Sequence, residues 1–322
     1  MSQNESLDAQ LDPEMRPIVL AMRQRMAERA PMTELAPKAM RERAAADFAV
    51  WNRDPPAVGA VRDLVLDVAP QALGARVYAP SECEDGGGLL VHFHGGGWVI
   101  GDIDFEDRAC RIVAERSGVK VLSVDYRLAP EAKFPAPVND CANAIRWARA
   151  NAGELGVSAD KIAAGGASAG ANLAMAAALA LRDAGEPPPA FLALLYGVFA
   201  MRTDTPSYGI YGNGLYGLGV EAMDFFMKSY LQSPDDRGHP YASPAFGDLH
   251  HMPSAYLAVA AMDPLRDDSY ALAEALQRAG APVEVREYAG VIHGFTQFSS
   301  ACAKGREALE DLADALKTAL AV

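Results

Sequence analysis

The chain has 322 residues, half of them hydrophobic, and a formal net charge of −13 at pH 7. This length accommodates one large α/β domain with insertions or two smaller domains. The negative charge disfavours a nucleic-acid partner or an anionic membrane surface, since both would repel the chain. The chain also lacks the run of about 18 apolar residues that a membrane-spanning helix needs.

The first residues and the cysteines bear on the compartment. The N-terminal residues lack the basic and apolar regions of a secretory signal, so we expect a cytoplasmic location. The cysteines stand at wide spacing, without the short pairings that metal sites and redox motifs use. We therefore expect no metal site and no cysteine chemistry, and we interpret the four as small buried or partly buried thiols: Cys83, Cys110, Cys141 and Cys302.

The hydrophobic pattern changes at about residue 60. Residues 1–50 are polar and helix-forming, with apolar residues at roughly helical spacing between prolines, and predict a separate helical appendage. Short apolar or alternating runs then predict strands, between which helical stretches such as 138–152 and 169–183 occur. This β-α alternation predicts a mainly parallel sheet covered on both faces. The predicted strands are 61–68, 75–78, 89–93, 119–124, 162–165, 191–198, 256–261 and 283–288.

A glycine run follows the third predicted strand, where residues 94–98 read His-Gly-Gly-Gly-Trp. Successive glycines let the backbone approach a ligand closely, and their N–H groups can converge on one negatively charged oxygen, as an oxyanion hole requires. A phosphate-binding loop is the competing use of such glycines. Neither G-x-G-x-x-G nor G-x-x-x-x-G-K-[ST] is present here, which favours the oxyanion hole.

Residues 166–170 read Gly-Ala-Ser-Ala-Gly, a G-x-S-x-G pattern between a predicted strand and an alanine-rich helical stretch. Glycines two residues either side of a serine fit a sharp strand-to-helix turn that presents Ser168 Oγ as a nucleophile. The alternative is a glycine-rich connection that carries an ordinary serine. The pattern alone is weak evidence, and its context decides between the two.

The interval 200–250 interrupts the alternation with many glycines and aromatic residues. Glycines supply flexibility and aromatics supply apolar surface, a mixture suited to a movable lid over a pocket. A loop whose aromatics merely pack on the sheet explains the composition equally well.

A nucleophilic serine needs a histidine base, and that histidine needs an acid to fix its tautomer. Of the six histidines, His293 follows the last predicted strand, and Asp263 stands at the end of the strand before it. The chain order serine, aspartate, histidine is that of the α/β-hydrolase scaffold. Asp267 and Asp268 are rival acids, but we expect both to begin the next helix, where carboxylates suit the helix dipole.

Five segments together resemble the hormone-sensitive-lipase-like branch of α/β-hydrolases, which includes the bacterial esterases of family IV. The segments are 94–98 (HGGGW), 124–131 (VDYRLAPE), 166–170 (GASAG), 263–267 (DPLRD) and 292–295 (IHGF), and the resemblance extends over about residues 60 to 322. It implies an α/β-hydrolase fold with a mainly parallel eight-stranded sheet flanked by helices. It also divides the chain into a helical cap, 1–50 and 200–250, and a two-part core, 51–199 and 251–322.

The resemblance further implies roles for individual residues. Ser168 would be the nucleophile, His293 the general base and then acid, and Asp263 its orienting partner. The oxyanion hole would be formed by three backbone N–H groups, those of Gly96, Gly97 and Ala169. The resemblance also implies supporting positions: His94 braces the loop beside Gly95, and Arg127 and Glu131 pair near the hole. We interpret His92 as an ordinary strand residue.

The implied activity is hydrolysis of short to medium acyl esters through a serine acyl-enzyme, on a small-molecule ester and without a cofactor. An amidase or lactonase with the same residues, or a non-catalytic ligand-binding relative, stays open. Many relatives dimerise, so a homodimer is open as well. Two positions depart from the family: Ala167 stands where aspartate is commonest, and Gly197 where proline is frequent, which suggests a looser lid.

Overall fold

The computed structural model describes residues 3–83 and 85–321. Its centre is one sheet of eight strands, and the expectation of a mainly parallel, eight-stranded α/β fold is confirmed. The strands are β1 (Ala60–Leu66), β2 (Leu73–Ala79), β3 (Gly87–Phe93), β4 (Lys120–Asp125), β5 (Val157–Ala167), β6 (Leu192–Leu195), β7 (Ala255–Met262) and β8 (Val283–Ile292).

The strand order in the sheet is β1-β2-β4-β3-β5-β6-β7-β8. The strand β2 pairs antiparallel with both β1 and β4, and every later pairing is parallel. The carboxyl ends of β3, β5, β7 and β8 therefore open onto the same edge of the sheet, where an open α/β sheet assembles its site. The sixth strand is shorter than predicted, because Tyr196 takes a φ of 36° and turns the chain out of the sheet.

Helices cover both faces of the sheet. They are α1 (Gln3–Asp8), α2 (Met15–Glu28), α3 (Pro37–Ala49), α4 (Asp107–Ser117), α5 (Ala136–Ala150), α6 (Ala152–Leu155), α7 (Ala169–Asp183), α8 (Pro206–Tyr211), α9 (Val220–Tyr230), α10 (Arg266–Arg278) and α11 (Ala303–Leu320). The buried residues form two apolar clusters. Residues of α5, α7 and α10 belong to the first cluster, and residues of α4 and α11 belong to the second. The alanine-rich α7 is buried around nearly its whole circumference, as expected of a helix that is apolar on all sides.

The segments outside the sheet are tied to it at particular points. After α1, the Asp12 N–H donates to Gly290 O at 2.9 Å, and α3 buries Met40 and Ala44 in the core. The insertion between β6 and β7 carries α8 and α9. Its residue Ala242 accepts a hydrogen bond from the buried Asn172 amide at 2.9 Å, so this segment is anchored to α7.

Within the described residues, no helix is both long and apolar enough to cross a membrane. All four cysteines are free thiols. Three of them are buried as expected, but Cys83 is exposed, so the prediction of at least partial burial is wrong for this residue. It lies in the loop between β2 and β3.

Candidate active site

Ser168 occupies the turn between β5, which ends at Ala167, and α7, which begins at Ala169. Its backbone has a φ of 55° and a ψ of −117°, a conformation that non-glycine residues rarely adopt and that marks a strained nucleophile elbow. The flanking glycines are required by close approach of the chain. A methyl group would lie 2.2 Å from Phe93 O at Gly166 and 1.9 Å from the same atom at Gly170, so only glycine lets α7 begin against the end of β3.

His293 joins the serine to an aspartate. Its Nε2 lies 2.9 Å from Ser168 Oγ, and its Nδ1 lies 2.7 Å from Asp263 Oδ2. The Asp263 side chain is 1% exposed and that of His293 is 14% exposed. The other carboxylate oxygen, Asp263 Oδ1, accepts the Leu265 N–H at 2.8 Å. The structure thus brings together the three side chains that the sequence selected, each at the carboxyl end of a strand.

The two rival acids serve other groups. The Asp267 Oδ2 accepts the Ser207 N–H at 2.8 Å. The Asp268 Oδ2 accepts the N–H groups of Phe199 and Ala200 at 3.2 and 3.1 Å, and burial raises the pKa of Asp268 to about 7. Both lie in the first turn of α10 as expected. They hold the start of the insertion to this helix.

The glycine loop takes a conformation that only its composition allows. Gly96 and Gly97 have φ values of 116° and 59°, and a methyl group at Gly96 would lie 2.2 Å from Ile100 O. Neither N–H group has a hydrogen-bond acceptor within the part of the chain that the structure describes. Ala169, as the first residue of α7, likewise has an N–H without an intrahelical acceptor. Three donors are therefore available beside Ser168.

His94 holds this loop from behind. It is fully buried, and its Nδ1 donates to Gly95 O at 2.7 Å. Its ring stacks on Tyr126 with centroids 4.4 Å apart, and the Tyr126 hydroxyl donates to His94 O at 2.8 Å. Burial lowers the pKa of the His94 imidazole, which suits a neutral brace.

One expected pairing is wrong. Arg127 does not pair with Glu131 but binds Asp140 of α5 through both Nε and Nη2, at 2.8 and 2.6 Å. Glu131 instead accepts two hydrogen bonds from Arg41 of α3, at 3.0 and 2.6 Å. Arg41 also donates to the carbonyl of Val99 at 2.9 Å. The reason is topological: Arg41 of α3 reaches Glu131 and also the carbonyl of Val99 after the glycine run, while α5 supplies Asp140 as the partner of Arg127.

Sequence reasoning missed two neighbours of the site. His92, interpreted as an ordinary strand residue, has its Nε2 2.6 Å from the buried Glu106 Oε2. Tyr196 packs its ring edge-on to that of His293, with centroids 5.2 Å apart, and its hydroxyl bonds Thr296 Oγ1. A histidine within the apolar run 89–93 was the available signal for the first pair. Nothing in the sequence marks Tyr196.

Segments outside the sheet approach the site from two sides. The ring of Phe226, on α9, lies so close to Gly97 that a methyl group there would be 2.4 Å from it. On the same side, the buried ring of Trp98 stacks on that of Tyr230 at the end of α9, with centroids 4.5 Å apart. On the other side, a methyl group at Gly217 would lie 3.9 Å from His293 O.

The two family departures have different surroundings. Ala167 is buried and pairs with Leu195 of β6. Gly197 is needed sterically, since a methyl group there would lie 2.2 Å from the Phe199 ring. The space that a side chain at position 197 would take is thus occupied by the ring of Phe199.

One group of metal-ligating residue types lies elsewhere, where Asp12, Glu14 and Cys302 approach one another. Lys304 Nζ lies 3.1 Å from Asp12 Oδ2, and Glu14 accepts the Ala303 N–H at 2.7 Å. These carboxylates therefore already have partners from the start of α11.

Comparison with known proteins places this geometry in a family. A family model described as the alpha/beta hydrolase fold matches residues 90–297. The chain is 40% identical over 245 residues to an arylesterase of Saccharolobus solfataricus, covering 76% of this chain and 78% of that protein. It is 33% identical over 264 residues to an acetyl esterase of Salmonella paratyphi B, covering 81% and 80% respectively.

Solved structures agree with these sequence relatives. A hyperthermophilic esterase from Pyrobaculum calidifontis superposes with a TM-score of 0.91 at 35% identity, over 96% of this chain and 98% of that one. An ester hydrolase from the metagenome of Lake Arreo gives a TM-score of 0.92 at 32% identity, over 97% and 100%. The chain therefore belongs to the α/β-hydrolase family, in its hormone-sensitive-lipase-like branch of esterases.

Proposed function

We propose that this protein hydrolyses carboxylic esters through an acyl-enzyme on Ser168. The observation that carries the proposal is the pair of hydrogen bonds made by His293, 2.9 Å to Ser168 Oγ and 2.7 Å to Asp263 Oδ2. A serine hydroxyl becomes nucleophilic when a base within hydrogen-bond reach takes its proton, and a carboxylate on the other ring nitrogen fixes the tautomer that can do so. The relatives named as esterases support the same reaction.

In the first half-reaction, Ser168 Oγ attacks the ester carbonyl carbon as its proton passes to His293 Nε2. The carbonyl oxygen becomes an oxyanion, which the N–H groups of Gly96, Gly97 and Ala169 stabilise. Collapse of this intermediate breaks the bond to the alkoxy oxygen, and His293 gives its proton to the departing alcohol. The imidazolium that forms meanwhile is stabilised by the Asp263 carboxylate.

The second half-reaction repeats these steps with water. His293 Nε2 takes a proton from a water molecule, whose oxygen attacks the acyl carbon bound to Ser168. The second oxyanion collapses, the carboxylic acid leaves, and the proton returns to Ser168 Oγ. Nucleophile, base and hole suffice for this acyl transfer, so no cofactor is needed.

We further propose that residues 1–50 and 200–250 form a cap over the site and that 51–199 with 251–322 form the core. The support is that Phe226 of α9 touches Gly97, and the Gly217 turn approaches His293 from the other side. Such cover limits the room for the acyl chain, which favours short to medium esters. A cytoplasmic location and a homodimer stay predictions.

Hydrolysis of p-nitrophenyl acetate, butyrate, octanoate and dodecanoate, beside the matched anilides, tests the proposal. We expect burst kinetics or turnover on the shorter esters and a fall in kcat/KM toward dodecanoate. The Ser168→Ala variant is the control that measures the background from non-enzymatic and contaminant hydrolysis. Faster cleavage of anilides would favour the amidase alternative, and preferential opening of a lactone series would favour a lactonase.

A protein that binds these esters without burst or turnover would be a ligand-binding relative and would overturn the enzyme proposal. Equal rates for the wild-type protein and the Ser168→Ala variant would remove the serine from the mechanism. Preferential hydrolysis of dodecanoate would overturn only the proposal on chain length.

A further inference from the structure

A second buried pair lies behind the glycine loop, outside the triad. His92 Nε2 is 2.6 Å from Glu106 Oε2, and the two side chains are 6% and 4% exposed. Buried carboxylates are rare unless their oxygens are satisfied, and each one demands an explanation. The proposed reaction assigns no task to this carboxylate.

The other oxygen of Glu106 reaches the loop itself. Glu106 Oε1 accepts the Gly95 N–H at 3.0 Å. A methyl group at Gly95 would lie 3.1 Å from Ala167 O, 3.3 Å from Glu106 Oε1 and 3.5 Å from Ser168 Cβ. The carboxylate, the peptide group before the nucleophile and the nucleophile's own side chain thus surround this one residue.

Both polar groups of Gly95 are held by buried side chains. Glu106 accepts its N–H, and His94 Nδ1 donates to its C=O at 2.7 Å. The next two residues are glycines outside any helix or strand, and glycine has the largest conformational freedom in an unrestrained chain. The direction of the Gly96 and Gly97 N–H groups therefore depends on how firmly the peptide groups of Gly95 are fixed.

The sheet places this carboxylate on the face of the nucleophile strand to which Ala167 belongs. His92 of β3 is in register with Gly165 of β5. Alternate residues of β5, among them Ala167, face the same apolar layer as the residues of α4. Glu106 immediately precedes α4. The methyl group of Ala167 and the Glu106–His92 pair thus share one face of the sheet.

We propose that Glu106 is a positioning residue for the oxyanion hole, with His92 as the partner that fixes its carboxylate. It anchors Gly95 and through it aims the N–H groups of Gly96 and Gly97 at the oxygen that becomes negative in the transition state. In this chain the acidic group behind the nucleophile turn is supplied from residue 106, while residue 167 is apolar. The inference rests on the proposed function, since it concerns the same reaction.

Three variants separate positioning from packing. Glu106→Gln keeps an oxygen for the Gly95 N–H and an amide that donates to His92 Nε2. Glu106→Met has a similar volume but offers neither. Asp107→Asn is the matched control, because Asp107 is also buried at the start of α4 but accepts from Tyr78 and Arg111, at 2.8 and 2.7 Å, and does not touch the loop.

We expect the Met variant to lose kcat by about 10- to 100-fold, as misplaced catalytic groups do, with KM within about threefold because the hole acts in the transition state. The Gln and Asp107→Asn variants should keep kcat within about threefold of the wild type. Circular dichroism and the thermal midpoint establish that each variant is folded. If the Met variant does not fold, His92→Phe carries the test, and its kcat should fall about tenfold.

Equal kcat values for the Gln and Met variants, whether lowered or not, would overturn the inference, as would a loss that appears in KM alone. A wild-type kcat in a folded His92→Phe variant would do the same. The wild-type protein is assayed in parallel. Absence of its turnover would overturn the proposed function instead, so the two failures are distinguishable.

Discussion

The Asp263→Asn substitution tests the proposed triad most finely, because the structure fixes which way the new amide points. Asp263 Oδ1 accepts the Leu265 N–H at 2.8 Å. An asparagine oxygen must stay at that position, since an NH₂ group would face a donor there. The NH₂ group then lies where Oδ2 was, 2.7 Å from His293 Nδ1. The imidazole is forced to accept at Nδ1 and carries its proton on Nε2, facing Ser168.

A histidine in that tautomer cannot take the serine proton. In a serine protease the same tautomer error lowers kcat by about 10⁴-fold, which corresponds to about 5.4 kcal/mol at 1.36 kcal/mol per tenfold. The Asp263 side chain is 1% exposed, so water cannot replace the lost acceptor. We therefore expect a loss of about 10³- to 10⁴-fold in kcat with little change in KM.

Steady-state hydrolysis of p-nitrophenyl butyrate measures this loss. Asp267→Asn is the matched control, because Asp267 accepts a hydrogen bond from Ser207 rather than from His293, and its kcat should stay within about tenfold of the wild type. An Asp263→Asn enzyme within tenfold of the wild type, or an Asp267→Asn enzyme with the larger loss, would refute the assignment of the acid.

Three further predictions concern the nucleophile and the fold. Ser168→Ala should lower kcat by about four to six orders of magnitude with an unchanged thermal midpoint, and residual ester turnover above that level would contradict the assignment. Burial raises the pKa of Asp268 from 3.8 to about 7. Between these two pH values the Asp268 carboxyl keeps its proton in the native protein but has lost it in the unfolded chain, so the free energy of unfolding falls as pH rises. Urea titrations at pH 5 and pH 8 measure this. From pH 5 to pH 8 the free energy of unfolding should fall by about 3 kcal/mol more in the wild type than in the Asp268→Asn variant, and a larger fall in the variant would refute this. Gly170→Ala should lower the free energy of unfolding by about 3 kcal/mol, because its methyl group would lie 1.9 Å from Phe93 O. The control Gly153→Ala, with open space around it, should be nearly neutral. Equal urea midpoints for the two variants would contradict the close approach at Gly170.

Much of this architecture could be read from local patterns. The apolar run 89–93 and the glycine run after it predicted β3 and its loop, and the G-x-S-x-G turn predicted β5 and α7 in order. These features depend on periodicity and on glycine conformations, which neighbouring residues determine. Asp263 and His293 could be selected because the carboxyl ends of consecutive parallel strands meet at one edge.

The side-chain pairings could not be predicted in this way. Arg127 pairs with Asp140 of α5 and Glu131 with Arg41 of α3, although Arg127 and Glu131 stand only four positions apart. The choice depends on how α3 and α5 lie across the loop, and 29 basic and 42 acidic residues offer many alternatives. The Glu106–His92 pair escaped notice for the same reason, since 14 positions separate its members and only the fold brings them together.

The most direct test of the account is covalent trapping of the nucleophile. The protein is incubated with diethyl p-nitrophenyl phosphate, and the modified residue is located by peptide mass spectrometry while esterase activity is followed in the same samples. We predict one diethylphosphoryl group per chain, on Ser168, with loss of activity in proportion to labelling and no label on the Ser168→Ala variant. Full activity in a chain labelled at Ser168, or inactivation with the label on another residue, would contradict the account.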